Sequence, residues 1–410
     1  MTLLDRQIIL SHPGKHHHFY QIARAATEAN LLAKFVTGAY YLPDQLPYRA
    51  LNILPKSLAK NLINRLESRR SMPGVDNRLV DSMPYCEAVL RGCDRTLVIR
   101  DIIGRRNLVL GYNAVFDRRV ASRIQPGPQH LVHCLWGSAW KTFEKAKQHG
   151  ATTILDMMIN PLAYQHVTQE YKGGRGRQFR LSCREQAEVS LADYILSPSE
   201  FVSQGIIEMG FPKNRIIGIP YGVEVERFTL KKERTDAYFQ ILFVGHVALR
   251  KGFQYLLEAC EKLDLPNVKL TIIGTPVDSA SEKVLMGYRG TFTWVPSIAY
   301  DELHRYYQNS DLFVFPSLAE GSALVTYEAL ACGLPSIVTE NAGSVVQNGI
   351  EGFVVPVRDA QAIQEKIRLL YRDRDLARKM SLAARARAEN FSWERYRRRI
   401  IDAYTKITNE

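Results

Sequence analysis

The sequence predicts an α/β chain of two doubly wound domains, each a mostly parallel sheet with helices on both faces. Three observations carry this. The chain has 410 residues, 46% of them hydrophobic, more than one ordinary core takes up. Short apolar strands alternate with helical stretches along its length. The alternation breaks at the polar, aperiodic stretch 222–238 and then restarts.

Gln7 to Leu10 (QIIL) reads as the first strand, with Ser11-His12-Pro13-Gly14-Lys15 as its loop. Phe19 to Ala33 follows with apolar residues at helical spacing (Ile22, Ala25, Ala26, Ala29), and Phe35 to Thr37 is the next strand. Nucleotide-binding folds begin this way, although such a loop can hold an anion or simply turn the chain. His16 to His18 are adjacent at a helix start and point in different directions, which argues against a metal site. Residues 40–128 have a weak pattern. They contain Pro43, Pro47 and Pro55 and then a basic helix, Lys56 to Arg70, with Leu58, Leu62, Ile63 and Leu66 near helical spacing. Such a helix either packs on its domain with a solvated outer face or lies on an anionic membrane.

Further strands are expected at Leu131–Leu135, Thr152–Leu155, Tyr194–Leu196 and Ile216–Ile219, with helices at Trp140–Gln148, Arg184–Leu191 and from Ser199 to Met209. After the break come strands at Gln240–Val244, Val268–Ile273, Phe292–Val295, Leu312–Phe315, Ser336–Thr339 and Gly352–Val355. Helices are expected at Phe253–Leu263, Asp301–Asn309, Ala323–Cys332, 359–390 and Glu394–Ile407.

In the second half, four strand ends gather polar groups: Gly245 to Lys251, Gly274-Thr275, Trp294 to Ser297 and Glu320 to Ala323. In a parallel sheet these share one edge, where ligands bind. Lys251 brings a positive charge. The amides of Gly321, Ser322 and Ala323 would crown a helix and face an anion, so together they suit a diphosphate. Glu328 lies about one and a half turns further along and can accept hydrogen bonds from ribose hydroxyls. Two glutamates near a helix start are also an ordinary cap and solvated face, and that reading stays open for these two alone.

At these residues the chain resembles retaining glycosyltransferases of the family-4 type. The stretch VGHVALRKG (244–252) is similar to their Val-Gly-Arg…Lys-Gly loop, and EGSALVTYEALACGLP (320–335) to their Glu-Gly-Phe-Gly…Glu stretch. NAGSVVQNGIEGFVVP (341–356), LADYILSPSEFV (191–202), IPYGVEVERF (219–228) and FSWERY also match. The resemblance implies the GT-B fold, two Rossmann-like domains facing across a cleft: 1–225 for the acceptor, a linker at 226–238, 239–391 for the donor, and residues 392–410 crossing back onto the first domain. It implies that Lys251, with His246 and Arg250, contacts the donor diphosphate, that Glu328 holds ribose, and that Glu320 faces the donor sugar and reacting centre. The backbone of Trp294, Val295 and Pro296 would hold the nucleobase. Gly14 would face the phosphates or the acceptor across the cleft. Two departures stand out. His246 replaces an arginine, and Ser322-Ala323 replaces Phe-Gly. Where the family has a histidine after a first-domain strand, Asp156 stands here, either as a catalytic substitute or as a structural cap.

The implied reaction moves a sugar from a nucleotide-diphosphate sugar, UDP- or GDP-linked, to a hydroxyl of a glycan, lipid-linked or small acceptor. No cofactor and no metal are expected. The formal charge of +12 is uneven, +10 over residues 1–230 and +2 over 231–410. A basic first half fits an anionic partner such as a membrane surface, or plain solubility. No nucleic-acid module is readable. The six cysteines (Cys86, Cys93, Cys134, Cys183, Cys260 and Cys332) are scattered and read as reduced thiols. With no long apolar segment near the N-terminus, a cytoplasmic location is expected, with peripheral membrane contact open. One rival reading is a GT-B-like binding or scaffold protein. A nucleotide-dependent oxidoreductase is the other, and SHPGKHHH lacks the G-x-G-x-x-G turn that it needs.

Overall fold

The computed structural model describes residues 7–14, 16–53, 55–88, 105–171, 181–230 and 238–409. Lys15, Cys93 and residues 231–237 of the expected linker lie outside them. The first domain runs β1 (Gln7–His12), α1 (His17–Glu28), β2 (Leu32–Thr37), α2 (Lys56–Arg70), β3 (Val80–Ser82), α3 (Arg105–Arg123), β4 (His130–Leu135), α4 (Trp140–Gln148), β5 (Thr152–Asp156), α5 (Pro161–Tyr171), α6 (Cys183–Leu191), β6 (Tyr194–Ser197), α7 (Glu200–Glu208) and β7 (Ile216–Gly218). The second runs β8 (Phe239–Val244), α8 (Phe253–Glu261), β9 (Val268–Ile273), α9 (Ser279–Gly287), β10 (Thr293–Val295), α10 (Tyr300–Gln308), β11 (Leu312–Phe315), α11 (Leu324–Ala331), β12 (Ser336–Thr339), β13 (Gly352–Val355), α12 (Ala360–Arg372) and α13 (Arg374–Glu389). The last helix, α14 (Trp393–Asn409), returns to the first domain and packs on α1.

Both sheets are parallel. Their strand orders are β3-β2-β1-β4-β5-β6-β7 and β10-β9-β8-β11-β12-β13. In each, the order reverses beside the domain's first strand, between β1 and β4 and between β8 and β11. The crevice at the carboxyl ends of such a strand pair is where a doubly wound fold binds its ligand. β8 and β11 read FQILFV and LFVF because helices cover both faces, so alternation gives way to continuous apolar runs. α6 starts on a capping box, with Ser182 and Glu185 each accepting from the other's backbone amide. α10 turns Leu303 and Tyr307, four apart, to the core.

Several elements differ from expectation. α1 ends at Glu28, and Asn30 takes a left-handed conformation (φ 56°), so Leu32 and Ala33 belong to β2. Asp373 accepts from the Leu376 amide and splits 359–390 into two helices. α3, α5, α9 and the polar edge strand β3 were not predicted.

The chain crosses between domains twice, and the crossings lie side by side. The Val223 amide donates to Phe391 O at 2.9 Å, and a β-bridge joins Val223 to Ser392. Gly222 fits here because a Cβ would sit 2.7 Å from the Trp393 backbone. No described helix is long and apolar enough to cross a membrane.

Candidate functional site

The loop after β8 is built around two glycines. Gly245 (φ +140°) has the Lys251 ammonium where a Cβ would reach 3.1 Å, and Gly252 (φ +70°) opens α8 with its Cα pressed against the Pro316 carbonyl. Both positions demand glycine. Between them a single 3-10 turn, Leu249–Lys251, turns Arg250 and Lys251 toward the end of β11. There Glu320 Oε2 lies 3.0 Å from Arg250 Nη1 and 3.6 Å from Lys251 Nζ. Arg250 also donates to Ala319 O. The sequence-predicted Lys251, Arg250 and Glu320 therefore meet at the switch point between β8 and β11.

Burial, with Arg250 nearby, lowers the Lys251 pKa from the usual lysine value, and Glu320 opposes the shift. Burial and the charges of Lys251 and Arg250 also lower that of His246, which favours its neutral form. The pocket thus has two cations against one carboxylate, a balance that suits an incoming dianion.

α11 starts without a side-chain cap. The Ala323 amide donates to Ala342 O, which removes it from the expected anion cradle and leaves that task to Gly321 and Ser322. The Ser322 hydroxyl, just before the helix, pairs with Tyr327 OH on it at 2.7 Å. Glu328 is buried on α11 and accepts from Tyr307 OH at 2.8 Å. Its pKa is pushed up to about 7 by burial, against the lowering effect of hydrogen bonds from Tyr307 and Tyr300. These tyrosines, from α10, were not anticipated. Trp294 and Val295 lie on β10 and Pro296 just past its end, as expected, but much of their polarity is already used. Trp294 Nε1 donates to Gly274 O (2.9 Å), Val295 O accepts from the Gly274 amide (2.9 Å), and Pro296 O accepts from Thr275 Oγ1 (2.8 Å). A nucleobase would have to use what these bonds leave.

The sequence singles out two first-domain residues. The Gly14 amide donates to His12 Nδ1 at 3.1 Å and is taken up within its own loop. Asp156 ends β5 but is buried, with its Oδ2 3.5 Å from both His18 Nε2 and His133 Nε2. Burial alone would raise its pKa, yet the two imidazoles hold it well below the usual carboxylate range. His133 Nδ1 in turn pairs with Tyr404 OH of α14 at 2.8 Å. Asp156 is therefore a buried anchor beneath the cleft, and its carboxylate does not line it.

The first-domain groups that meet the loops around Glu320 had no signal that they would do so. The Ser199 hydroxyl donates to Gly321 O at 2.6 Å. A Cβ on Gly321 would run into the Met158 carbonyl. The Arg250 guanidinium stacks over Tyr164 (4.9 Å), and Gln254 Nε2 donates to Tyr171 OH (3.0 Å). Leu318 and Ala319 pack on Val167 of α5. The domains thus close directly over the Glu320-Gly321 loop.

Residues 225–387 match the family model of glycosyl transferases group 1. The chain is 28% identical over 252 residues to the D-inositol 3-phosphate glycosyltransferase of Geodermatophilus obscurus, covering 55% of each chain. It is 29% identical over 237 residues to the sulfoquinovosyl transferase of Arabidopsis thaliana, covering 53% of this chain and 44% of that one. The matched part spans about half the length of these curated relatives. Among solved structures, sucrose-phosphate synthase from Thermosynechococcus elongatus superposes with a TM-score of 0.67 at 19% identity, covering 98% of this chain and 100% of that one. Anabaena HepE in complex with UDP and glucose gives 0.63 at 12%, covering 98% and 99%.

Proposed function

We propose a function from the premise that this chain is a GT-B-fold member of the glycosyl transferases group 1, matched over its second domain: it moves a sugar from a nucleotide-diphosphate sugar to an acceptor hydroxyl. The observation that carries the reading is the convergence of Arg250, Lys251 and Glu320 at the β8–β11 switch point. Cleaving the bond between anomeric carbon and phosphate places negative charge on the diphosphate and positive charge on the sugar. Arg250, Lys251 and the amides of Gly321 and Ser322 answer the first, and Glu320 the second. Glu320 is already neutralised by two cations, which makes it a weak nucleophile. That favours attack by the acceptor on the face the phosphate leaves, with retention of configuration. With Glu320 matching one of the two cations, the other and the amides of Gly321 and Ser322 face the diphosphate, and activity is expected to persist in EDTA. Glu328 is assigned to ribose.

The acceptor is proposed to be a glycan or lipid-linked hydroxyl presented from the first domain, in the cytoplasm and at a membrane face. The UDP complex of HepE supports UDP as the first nucleotide to try. The test is a thermal-shift panel of nucleotides and nucleotide sugars, paired with mass spectrometry of released nucleotide. UDP or GDP should raise the melting temperature, and Lys251→Ala should abolish the shift. No shift with any nucleotide would overturn the reading.

A further inference from the structure

We propose that the outer face of α2 and the turn before it dock this chain on an anionic lipid bilayer. This deepens the reading above by naming where a lipid-linked acceptor would be met, and lipid docking itself does not depend on catalysis. α2 carries two stripes on neighbouring faces, roughly a quarter-turn apart. Ala59, Ile63, Leu66 and Arg70 follow one another at helical spacing and turn inward: Ala59 and Arg70 are buried, and Ile63 and Leu66 half-buried. Leu58 and Leu62 lie on another face and are 58% and 41% exposed. Just before them, Leu46 and Ile53 are 69% and 86% exposed. A single exposed leucine is ordinary, but four large aliphatic side chains exposed within one short segment are not.

The charge of the same segment selects the partner. Residues 46–70 contain Arg49, Lys56, Lys60, Arg65, Arg69 and Arg70 against the single acid Glu67. Arg49 and Lys60 are exposed. Exposed aliphatics among basic residues match a bilayer, in which hydrocarbon lies beneath anionic headgroups. A phosphodiester backbone would use the charges but offers nothing to the leucines.

The face is firmly tied to the cleft. Arg70, at the end of the inward stripe, makes a two-pronged ion pair with Glu87 (2.9 and 2.5 Å), and Glu87 also accepts from the Ala39 amide at 3.0 Å. Gly38, beside it, is packed so closely on the Pro13 carbonyl, Glu87 and the Tyr112 hydroxyl that a Cβ there would collide. A bilayer held by α2 is therefore linked through Arg70 and Glu87 to the loops after β2 and β1, on the first domain's ligand edge.

The experiment is flotation of the full chain with phosphatidylcholine vesicles with and without phosphatidylglycerol, at low and high salt. Wild type should float only with the anionic vesicles and lose binding as salt rises. The double variant Leu58→Glu/Leu62→Glu should partition at least about tenfold less while melting as wild type does, since both side chains are at the surface. Equal binding to neutral vesicles, undiminished binding by the double variant, or displacement of the vesicles by duplex DNA would overturn the proposal. A nucleotide-induced thermal shift, read in the same samples without lipid, bears only on the transferase reading, so the two can fail separately.

Discussion

Glu328 is a carboxyl group whose burial raises its pKa to about 7, so that it is only partly ionised near neutrality. Ribose hydroxyls that donate to it would favour its ionised form. Nucleotide binding should then release a proton, and affinity should rise with pH through the window below 7 and level off above it. Calorimetry in buffers of different ionisation enthalpy reads that proton, and Glu328→Gln should abolish both the release and the slope. A pH-independent affinity in wild type would remove Glu328 from the ribose site. His246 poses the opposite case, a neutral side chain where the related loop carries arginine. His246→Arg should tighten UDP binding roughly tenfold, about 1.4 kcal/mol, by adding a third cation for the diphosphate. Lys251→Ala should lower kcat/KM by about a hundredfold or more, as loss of one preorganised donor to a developing charge does.

At the scale of elements, the loop between β11 and α11 does two jobs. It offers Glu320 to the pocket, and it is the surface on which the first domain closes. Gly321 needs no left-handed backbone, so an alanine there is costly only because its methyl meets the Met158 carbonyl. Gly321→Ala should therefore leave nucleotide binding by the second domain in place while lowering kcat, and small-angle scattering should show a larger radius of gyration with donor bound. Unchanged kcat and radius would mean that the closed contact plays no part in turnover. This contact also shows where sequence reading stops. The strand ends were legible because β8 and β11 are apolar runs closed by Gly245 and by Pro316-Ser317, and Lys251, Glu320 and Glu328 could be placed from them. The facing groups are a backbone carbonyl at Met158, a hydroxyl at Ser199 and a ring at Tyr164, and no local pattern shows that they meet this loop. α5, which supplies most of that surface, has only Pro161 and Val167 buried, so its apolar period is too weak to read. Ala323 misled for a related reason: its amide looked available in the sequence and is taken up by Ala342 in the fold.

The whole molecule is held together at the hinge, where α14 starts beside the second domain and ends on the first. Arg397 reaches Gln21 and Glu28 of α1, Trp393 packs edge-on against His17, and Tyr404 holds His133. Through His133 this docking ends on Asp156, which also faces His18, so one buried carboxylate joins β5, β4, α1 and α14. Because its pKa in the fold is depressed, Asp156 adds stability that is complete above the unfolded carboxylate value, near pH 4, and is lost as pH falls toward the lower folded value. Asp156→Asn should remove that acid-sensitive share and leave two buried imidazoles without their carboxylate partner. The cost is expected to be about 3 kcal/mol at neutral pH, or roughly 6–12 °C in melting temperature. Scans from neutral to acid pH should show the wild-type and variant curves converging at the acid end. The loss should fall on the first domain, with α14 becoming open to proteolysis while the nucleotide-induced shift of the second domain persists. Curves that stay parallel down to acid pH would mean that Asp156 is merely packed there, and that its charge does not tie α14 to the first domain.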